Sequence, residues 1–290
     1  MSEQQQSTLA ALDGFPLAVH QYSGVGPPTA RLVVAGATGV PQGFYRKFAE
    51  YATTYGFDVV TFDYRGIGGS APRSLRGFQM DYRDWASLDL AGVLTNFAGE
   101  VPIHLISHSY GGHALGLLPD PSLVTSMHAL GSGSGWHGWM PRVERLRVAA
   151  LWNVLGPVVV SSTGYLAWKR FGFGEDLPLG VYRQWKHWCR FPNYWFDDPE
   201  IGAEMNALFT RVRVPITAIN AIDDRWSTPA ARDAFFSHYV NSDLTTQDLR
   251  PSDIGRSSIG HMGYFRRGSE PLWARVLDEV RRTDQQSEVQ

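Results

Sequence analysis

The stretch Pro102-Ile-His-Leu-Ile-Ser-His-Ser-Tyr-Gly-Gly112 decides the fold of this chain. It begins as a short apolar run typical of a buried strand, and helical spacing follows from Tyr110 to Leu118. Between the two stands the pattern small-x-Ser-x-Gly, which in a strand–turn–helix context predicts a nucleophile elbow. Such a turn strains the backbone of its central residue and exposes the hydroxyl above the sheet edge. The sequence therefore predicts Ser109 as a nucleophile.

Small residues on either side of Ser109 support this interpretation. They let the strand and the following helix approach closely, and the helix N-terminus favours developing negative charge. Ser107 stands where the pattern usually has a glycine, and it is small enough for the turn to form. The competing interpretation is a glycine-rich turn that carries an ordinary serine.

Strands and helices alternate along most of the chain. Apolar runs predict strands at 31–36, 57–62, 102–106, 123–130 and 214–219, and amphipathic spacing predicts helices at 42–55, 81–97, 110–118, 229–239 and 271–281. This alternation predicts an α/β fold, with a mostly parallel central sheet and helices on both faces. Residues 15–22 are expected to add an antiparallel edge strand.

The alternation lapses in the middle of the chain. Residues 132–210 hold seven of the ten tryptophans, which are Trp136, Trp139, Trp152, Trp168, Trp185, Trp188 and Trp195. We interpret this segment as a helical, aromatic-rich cap inserted into a core formed by residues 1–131 and 211–290.

One part of the predicted cap is long and apolar enough to require a membrane test. Val148 to Trp168 carries no charged residue over 21 positions, and about 20 apolar residues suffice to span a bilayer. Asn153, Gly156-Pro157 and a run of small polar residues interrupt it. We therefore expect a buried helical hairpin broken at Gly156-Pro157, and membrane contact is not expected.

A serine hydroxyl becomes a strong nucleophile when an imidazole takes its proton and a carboxylate orients that imidazole. An acid is expected just after the strand that ends near Asn220, where Asp223 and Asp224 precede Pro229 and a helix. Asp224 is favoured by its distance from Pro229, with Asp223 as the alternative acid, and the other aspartate would then serve the turn.

The base is expected late in the chain. His261 lies in Ser258-Ile-Gly-His-Met-Gly-Tyr-Phe265, a glycine-flanked loop before the terminal helix. The order serine, acid, histidine is the one expected for this strand–turn–helix elbow.

Two backbone amides are expected to form an oxyanion hole. One is that of Tyr110, directly after the nucleophile; the other is that of Ala37, with Thr38 as the alternative. Trp136, Trp226 and Met262 are the candidate substrate-binding side chains, since they lie in the cap or beside the predicted acid and base.

These segments together resemble a known group of proteins. The stretch Thr61-Phe-Asp-Tyr-Arg-Gly-Ile-Gly-Gly-Ser70, Arg83-Asp-Trp-Ala86, the elbow, Ile222-Asp-Asp224 and Ile259-Gly-His-Met-Gly-Tyr-Phe-Arg266 look like a bacterial group of predicted α/β-hydrolases. That group is similar to the serine-aminopeptidase-like and monoglyceride-lipase-like branch. The resemblance extends from about Arg31 to Val280. It implies a triad of Ser109, Asp224 (or Asp223) and His261 beneath a cap, and it does not imply a substrate.

Composition excludes several classes of function. The net charge is −2 without a clustered basic face, so nucleic acid is not an expected partner. No metal-binding motif or phosphate loop is present, so we expect neither metal nor cofactor. A single cysteine, Cys189, and a polar N-terminal stretch without a signal-peptide pattern predict a cytoplasmic protein. The sequence is compatible with a monomer and with a homodimer.

The predicted function is that of a carboxylesterase-like serine hydrolase. The elbow, acid and base together predict hydrolysis of an ester or thioester of an apolar small molecule through an acyl-enzyme. Three alternatives stay open: an acyltransferase that uses the same triad, a small-substrate aminopeptidase, and a non-catalytic ligand-binding protein. Epoxide hydrolase and haloalkane dehalogenase chemistry are disfavoured, because both require an aspartate in place of Ser109.

Overall fold

The computed structural model describes residues 4–172 and 174–287. Eight strands form one sheet, and their bounds are β1 Gln4–Ala10, β2 Pro16–Tyr22, β3 Arg31–Ala35, β4 Asp58–Phe62, β5 Ile103–His108, β6 Ser126–Leu130, β7 Ile216–Ala221 and β8 Leu244–Leu249. The strand order is β1-β2-β4-β3-β5-β6-β7-β8. From β4 to β8 every neighbouring pair is parallel, while β1 and β2 are antiparallel. The predicted α/β fold with a mostly parallel sheet is confirmed.

The α-helices of the described residues are α1 Arg46–Thr53, α2 Ala91–Phe97, α3 Gly111–Ala114, α4 Arg142–Ala150, α5 Gly156–Thr163, α6 Leu179–Trp188, α7 Gly202–Thr210, α8 Pro229–Phe236 and α9 Glu270–Ser287. Two π-helical turns, Trp85–Leu90 and Leu151–Leu155, lead directly into α2 and α5. Short 3-10 turns lie at 42–45, 68–70, 115–117, 121–123, 137–139, 168–171, 194–197, 251–254 and 263–265.

Helices cover both faces of the sheet because its central strands are apolar on both sides. Every residue of β3, β5 and β6 is buried. Alternate side chains of these strands fall into two core clusters. One cluster contains apolar residues of α1 and α9, and the other those of α2, α3, α7 and α8. Parallel strands need this two-sided cover. Because the strands run in the same direction, their carboxyl ends lie together at one edge of the sheet.

Two strands were not predicted, and both are polar. β1 is largely exposed and pairs outside β2, so residues 16–22 form the second strand and not the edge. β8 is exposed or partly buried except at Leu249, and it forms the opposite edge. Edge strands face solvent on much of their surface, so they lack the apolar run by which the inner strands were found.

The prediction of a buried helical hairpin broken at Gly156-Pro157 is wrong. Residues Arg142–Thr163 form one continuous 22-residue helix, hereafter the long helix. The π turn Leu151–Leu155 lets the Gly156 amide bond to Leu151 O, five residues back, and the helix continues past Pro157. Gly156 also lies against Tyr182, where an added Cβ would come within 2.6 Å of the tyrosine Oη. By length and composition alone this helix could cross a membrane, and 22% of its most apolar window is buried.

Candidate active site

The turn after β5 holds Ser109 in the conformation that the elbow pattern predicts. Ser109 has φ +53°, in the left-handed region that side chains rarely adopt. A Cβ on Gly111 would lie 2.0 Å from the Ala35 carbonyl oxygen, and one on Gly112 would lie 2.3 Å from Ser132 Oγ. These contacts explain why small residues surround the serine: α3 passes directly over the ends of β3 and β6.

Three of the predicted side chains form one hydrogen-bonded chain at this edge of the sheet. His261 Nε2 lies 3.0 Å from Ser109 Oγ, and His261 Nδ1 lies 3.0 Å from Asp224 Oδ2. The acid is buried, whereas the histidine side chain is 19% exposed. The side chains come from the turn after β5, the turn after β7 and the loop before α9, so parallel topology brings together residues more than 150 positions apart.

Every lone-pair direction of the Asp224 carboxylate has a partner. Oδ1 accepts from the amides of Trp226 and Ser227 at 2.9 and 3.0 Å. Oδ2 accepts from Tyr264 Oη at 3.1 Å as well as from His261. Burial and the adjacent carboxylate raise the pKa of Tyr264, so its hydroxyl stays protonated and can donate. These four hydrogen bonds fix the orientation of the carboxylate.

Asp223, the alternative acid, has a different place. Its two carboxylate oxygens accept from the amides of Ile259 and Gly260, at 2.9 and 3.2 Å. These are the two residues that precede His261. Asp223 therefore contacts the backbone of the histidine loop, and its carboxylate is already used there.

The backbone amides expected to bind the oxyanion differ in whether they already donate a hydrogen bond within the protein. The Ala37 amide donates to Tyr45 Oη at 2.7 Å, so the expectation that it supplies the second oxyanion donor does not agree with the structure. Thr38, the alternative, lines the pocket together with Tyr110 and Ser109. Within the described part of the chain, the amides of Thr38 and Tyr110 donate to no other group. Of the predicted donors, these two amides are therefore the ones without an acceptor in the described structure.

A buried hydrogen-bonded chain that the sequence did not reveal joins the loop after β3, at Ala37, to the loop that carries His261. Tyr45 Oη, which accepts from the Ala37 amide, lies 3.0 Å from His108 Nδ1. His108 Nε2 lies 2.8 Å from the carbonyl oxygen of His261 and donates to it. Burial lowers the pKa of His108 to about 3, so the ring is neutral and its Nδ1 accepts from the tyrosine. Nothing in the spacing of Tyr45 and His108 signals this contact.

A pocket of about 470 Å³, its mouth included, opens beside Ser109. Apolar and aromatic side chains dominate its lining, and these are Tyr82, Tyr110, Met140, Val148, Trp152, Trp185 and Trp226. Of the three predicted substrate-binding residues, the structure places Trp226 in this lining. Trp136 and Met262 are not part of it; the Trp136 ring packs edge-on against Trp139, at 5.4 Å, and covers Gly138.

Burial favours the uncharged forms of two polar residues in the pocket, His113 and Cys189. His113 is buried, its Nε2 donates to the Gly133 carbonyl at 2.9 Å, and burial lowers its pKa to about 4. Cys189 lines the pocket as well, and burial raises the pKa of its thiol, which keeps it protonated and unreactive. No group of three or more His, Cys, Asp or Glu suited to a metal ion occurs among the described residues.

Residues 32–266 match the model of the alpha/beta hydrolase family. A comparison with curated proteins finds no match.

Three solved structures illustrate the fold. A soluble variant of monoglyceride lipase from Saccharomyces cerevisiae, solved with a substrate analogue, has a TM-score of 0.69 at 12% identity and covers 97% of this chain and 96% of its own. The Pyrococcus furiosus esterase Pf2001 has a TM-score of 0.58 at 13% identity, and the match covers 97% of this chain and 93% of the esterase chain. The α/β hydrolase GrgF from Penicillium sp. sh18 has a TM-score of 0.63 at 17% identity, with 97% and 99% covered. The TM-scores show a shared fold, and at identities this low the likeness shows the fold alone.

Proposed function

We propose that this chain, which belongs to the alpha/beta hydrolase family, is a serine hydrolase that cleaves a carboxylic ester or thioester of an apolar small molecule. The observation that carries the proposal is the hydrogen-bonded chain from Ser109 through His261 to Asp224, placed at the wall of an apolar pocket. The family and the lipase and esterase among its structural neighbours support hydrolysis as the general activity.

In the first half of the reaction, Ser109 Oγ attacks the carbonyl carbon of the ester while its proton passes to His261 Nε2. The carbonyl oxygen becomes an oxyanion, and the free amides of Tyr110 and Thr38 stabilise it. Asp224 keeps the proton of the imidazole on Nδ1, so that Nε2 is free to accept. The imidazolium that forms lies against the buried carboxylate, which stabilises its charge.

In the second half, His261 returns the proton from Nε2 to the leaving oxygen or sulfur as the bond to the carbonyl carbon breaks. The alcohol or thiol departs, and the acyl group stays on Ser109 Oγ. A water molecule then gives a proton to His261 Nε2 and attacks the acyl carbon. Collapse of this second oxyanion releases the carboxylic acid and restores the serine hydroxyl.

The pocket lining supports an uncharged substrate. Among the described residues that line it, none is Asp, Glu, Lys or Arg. An aminopeptidase needs a carboxylate to hold the amino group of its substrate, and the lining offers none.

A panel of p-nitrophenyl esters tests the proposal. We expect turnover of short-chain and aryl esters, and loss of that turnover by at least about 10⁴-fold in Ser109→Ala. Unchanged turnover in Ser109→Ala would contradict the proposal. If no ester is hydrolysed in water but an added alcohol or amine acceptor releases p-nitrophenol and forms an acylated product, the chain is an acyltransferase.

A further inference from the structure

The long helix Arg142–Thr163 has an inner face that belongs to the pocket wall. Its fully buried residues are Val148, Trp152, Gly156 and Val159, at a spacing of three or four that marks one face. Val148 and Trp152 line the pocket, and the Trp152 ring packs on Trp185 at 4.9 Å. The helix therefore separates the substrate pocket from whatever lies on its outer side.

The outer face of the same helix is apolar and uncovered. Val143, Leu146, Val154 and Val158 are 60%, 71%, 65% and 64% exposed, and they make up four of the nine large exposed hydrophobic residues of the described chain. Ala150 and Pro157 extend this stripe and are exposed as well. Single exposed valines are ordinary on a protein surface, but a contiguous apolar stripe marks an interaction site.

Charge on the long helix is confined to its first turns and is mostly positive. Arg142, Arg145 and Arg147 are all exposed. The lone carboxylate of the helix, Glu144, is 13% exposed; its Oε1 accepts from Trp226 Nε1 at 3.0 Å, and its Oε2 lies 3.5 Å from Arg147 Nη1, which keeps the rest of its guanidinium exposed. An apolar stripe with cations at its end matches the interface of an anionic bilayer, where acyl chains lie beneath negatively charged headgroups.

The size of the stripe favours lipid over a second copy of this chain. Four exposed aliphatic side chains on one helix present a much smaller area than the roughly 800 Å² per partner that is typical of a stable protein interface. A lipid surface needs no such area from the helix alone, because the arginines add headgroup attraction. A membrane-spanning arrangement would pull Trp152 and Val159 out of their packed positions.

We propose that the outer face of the long helix, from Val143 to Val158, docks on the surface of an anionic lipid bilayer and lies in its plane. The benefit of docking rests on the proposed function. Docking places the wall of the pocket against the lipid phase, in which an apolar ester concentrates. It differs from the expectation drawn from the sequence, in which membrane contact is not expected.

Flotation with vesicles tests the docking directly. Unilamellar vesicles of phosphatidylcholine with 30% phosphatidylglycerol should carry the full-length protein upward, and pure phosphatidylcholine vesicles should carry much less. Leu146→Glu and Val158→Glu should each lower the partition coefficient about tenfold or more, since each removes a buried aliphatic side chain from the lipid. Val240→Glu is the matched control, because Val240 is as exposed as Val158, at 64%, and lies outside the helix.

The arginines are tested separately. Replacing each of Arg142, Arg145 and Arg147 by glutamine should weaken binding to the anionic vesicles about fivefold per residue. Binding to neutral vesicles should change little. Hydrolysis of a water-soluble ester should stay at the wild-type level in the Leu146→Glu and Val158→Glu variants, because neither residue contacts the reacting groups.

Four outcomes would overturn the docking proposal. The first is that the wild type does not bind vesicles, and the second is that Leu146→Glu binds them as well as Val240→Glu does. The third is that the wild type stays in the vesicles after alkaline carbonate washing. The fourth is that the wild type is a dimer, which Val158→Glu dissociates while vesicle binding persists. Carbonate retention would indicate a spanning helix, and the dimer would indicate a second copy of the chain on this face. Ser109→Ala should bind vesicles like the wild type, so failure of the proposed hydrolysis and failure of docking are distinguishable.

Discussion

Asparagine substitution at the two neighbouring aspartates separates the proposed acid from its neighbour. In Asp224→Asn, the amide group faces His261 Nδ1 in place of the carboxylate oxygen that now lies 3.0 Å away. An amide that donates to Nδ1 holds the imidazole proton on Nε2, where it blocks acceptance of the Ser109 proton. Loss of the acid in such triads lowers kcat by about 10⁴-fold, which corresponds to about 5.4 kcal/mol of transition-state stabilisation.

Asp223→Asn should behave differently. Asp223 accepts one amide on each oxygen, and asparagine keeps one acceptor and loses the other. A hydrogen bond to a charged group contributes about 1.5–3 kcal/mol, so the main expected effect is a lower free energy of unfolding of that size. Displacement of the histidine loop should reduce kcat/KM by about tenfold.

The assay is kcat/KM on the best p-nitrophenyl ester at pH 8, with unfolding by urea measured in parallel. We predict that Asp224→Asn is slower than Asp223→Asn by at least about 100-fold. An Asp223→Asn enzyme as slow as Asp224→Asn, at unchanged stability, would refute the assignment of the acid. Activity of Asp224→Asn within tenfold of the wild type would refute the role of the acid itself.

Three further predictions concern the scaffold. Tyr45→Phe leaves a buried amide and a ring nitrogen unpaired, so urea unfolding should show a loss of about 2–4 kcal/mol together with lower kcat/KM; wild-type values of both would contradict the role of the buried hydrogen-bonded chain through Tyr45. Gly111→Ala places a Cβ 2.0 Å from the Ala35 carbonyl oxygen, and we expect a loss of at least about 3 kcal/mol or an unfolded product by circular dichroism, so a stable, active variant would contradict the elbow packing. Burial lowers the pKa of His108 to about 3 and of His113 to about 4, from 6.5, so the unfolded chain binds more protons and stability falls as pH drops below 6.5. Each histidine should contribute about 1.4 kcal/mol per pH unit until its folded pKa is approached, and unfolding free energies that are flat from pH 7 to 5 would contradict this.

The features that the sequence predicted depend on residues that are close together along the chain. The elbow depends on a strand, a turn and a helix that are consecutive, so Ser109 and the glycines beside it carry their own signal. The acid and the base follow from their positions after a strand and before a helix. Parallel topology then brings them together, because the carboxyl ends of neighbouring strands share one edge.

What the sequence did not predict depends on distant partners. The Ala37 amide was the expected oxyanion donor, and only the fold shows that Tyr45 takes it. Trp152, on the inner face of the long helix, and Trp185, on α6, line the pocket, whereas Trp136 does not. The path of the long helix was itself mispredicted, since a π turn absorbs the break expected at Pro157.

The central claim is that Ser109 is the acylated nucleophile, and covalent labelling tests it most directly. The wild type is treated with a fluorophosphonate probe, digested and examined by mass spectrometry, beside Ser109→Ala and His261→Ala. We predict one modified peptide, with the probe on Ser109, no label in Ser109→Ala, and labelling slowed by orders of magnitude in His261→Ala. A wild type that reacts at another residue, or a Ser109→Ala protein that labels at the wild-type rate, would contradict the account.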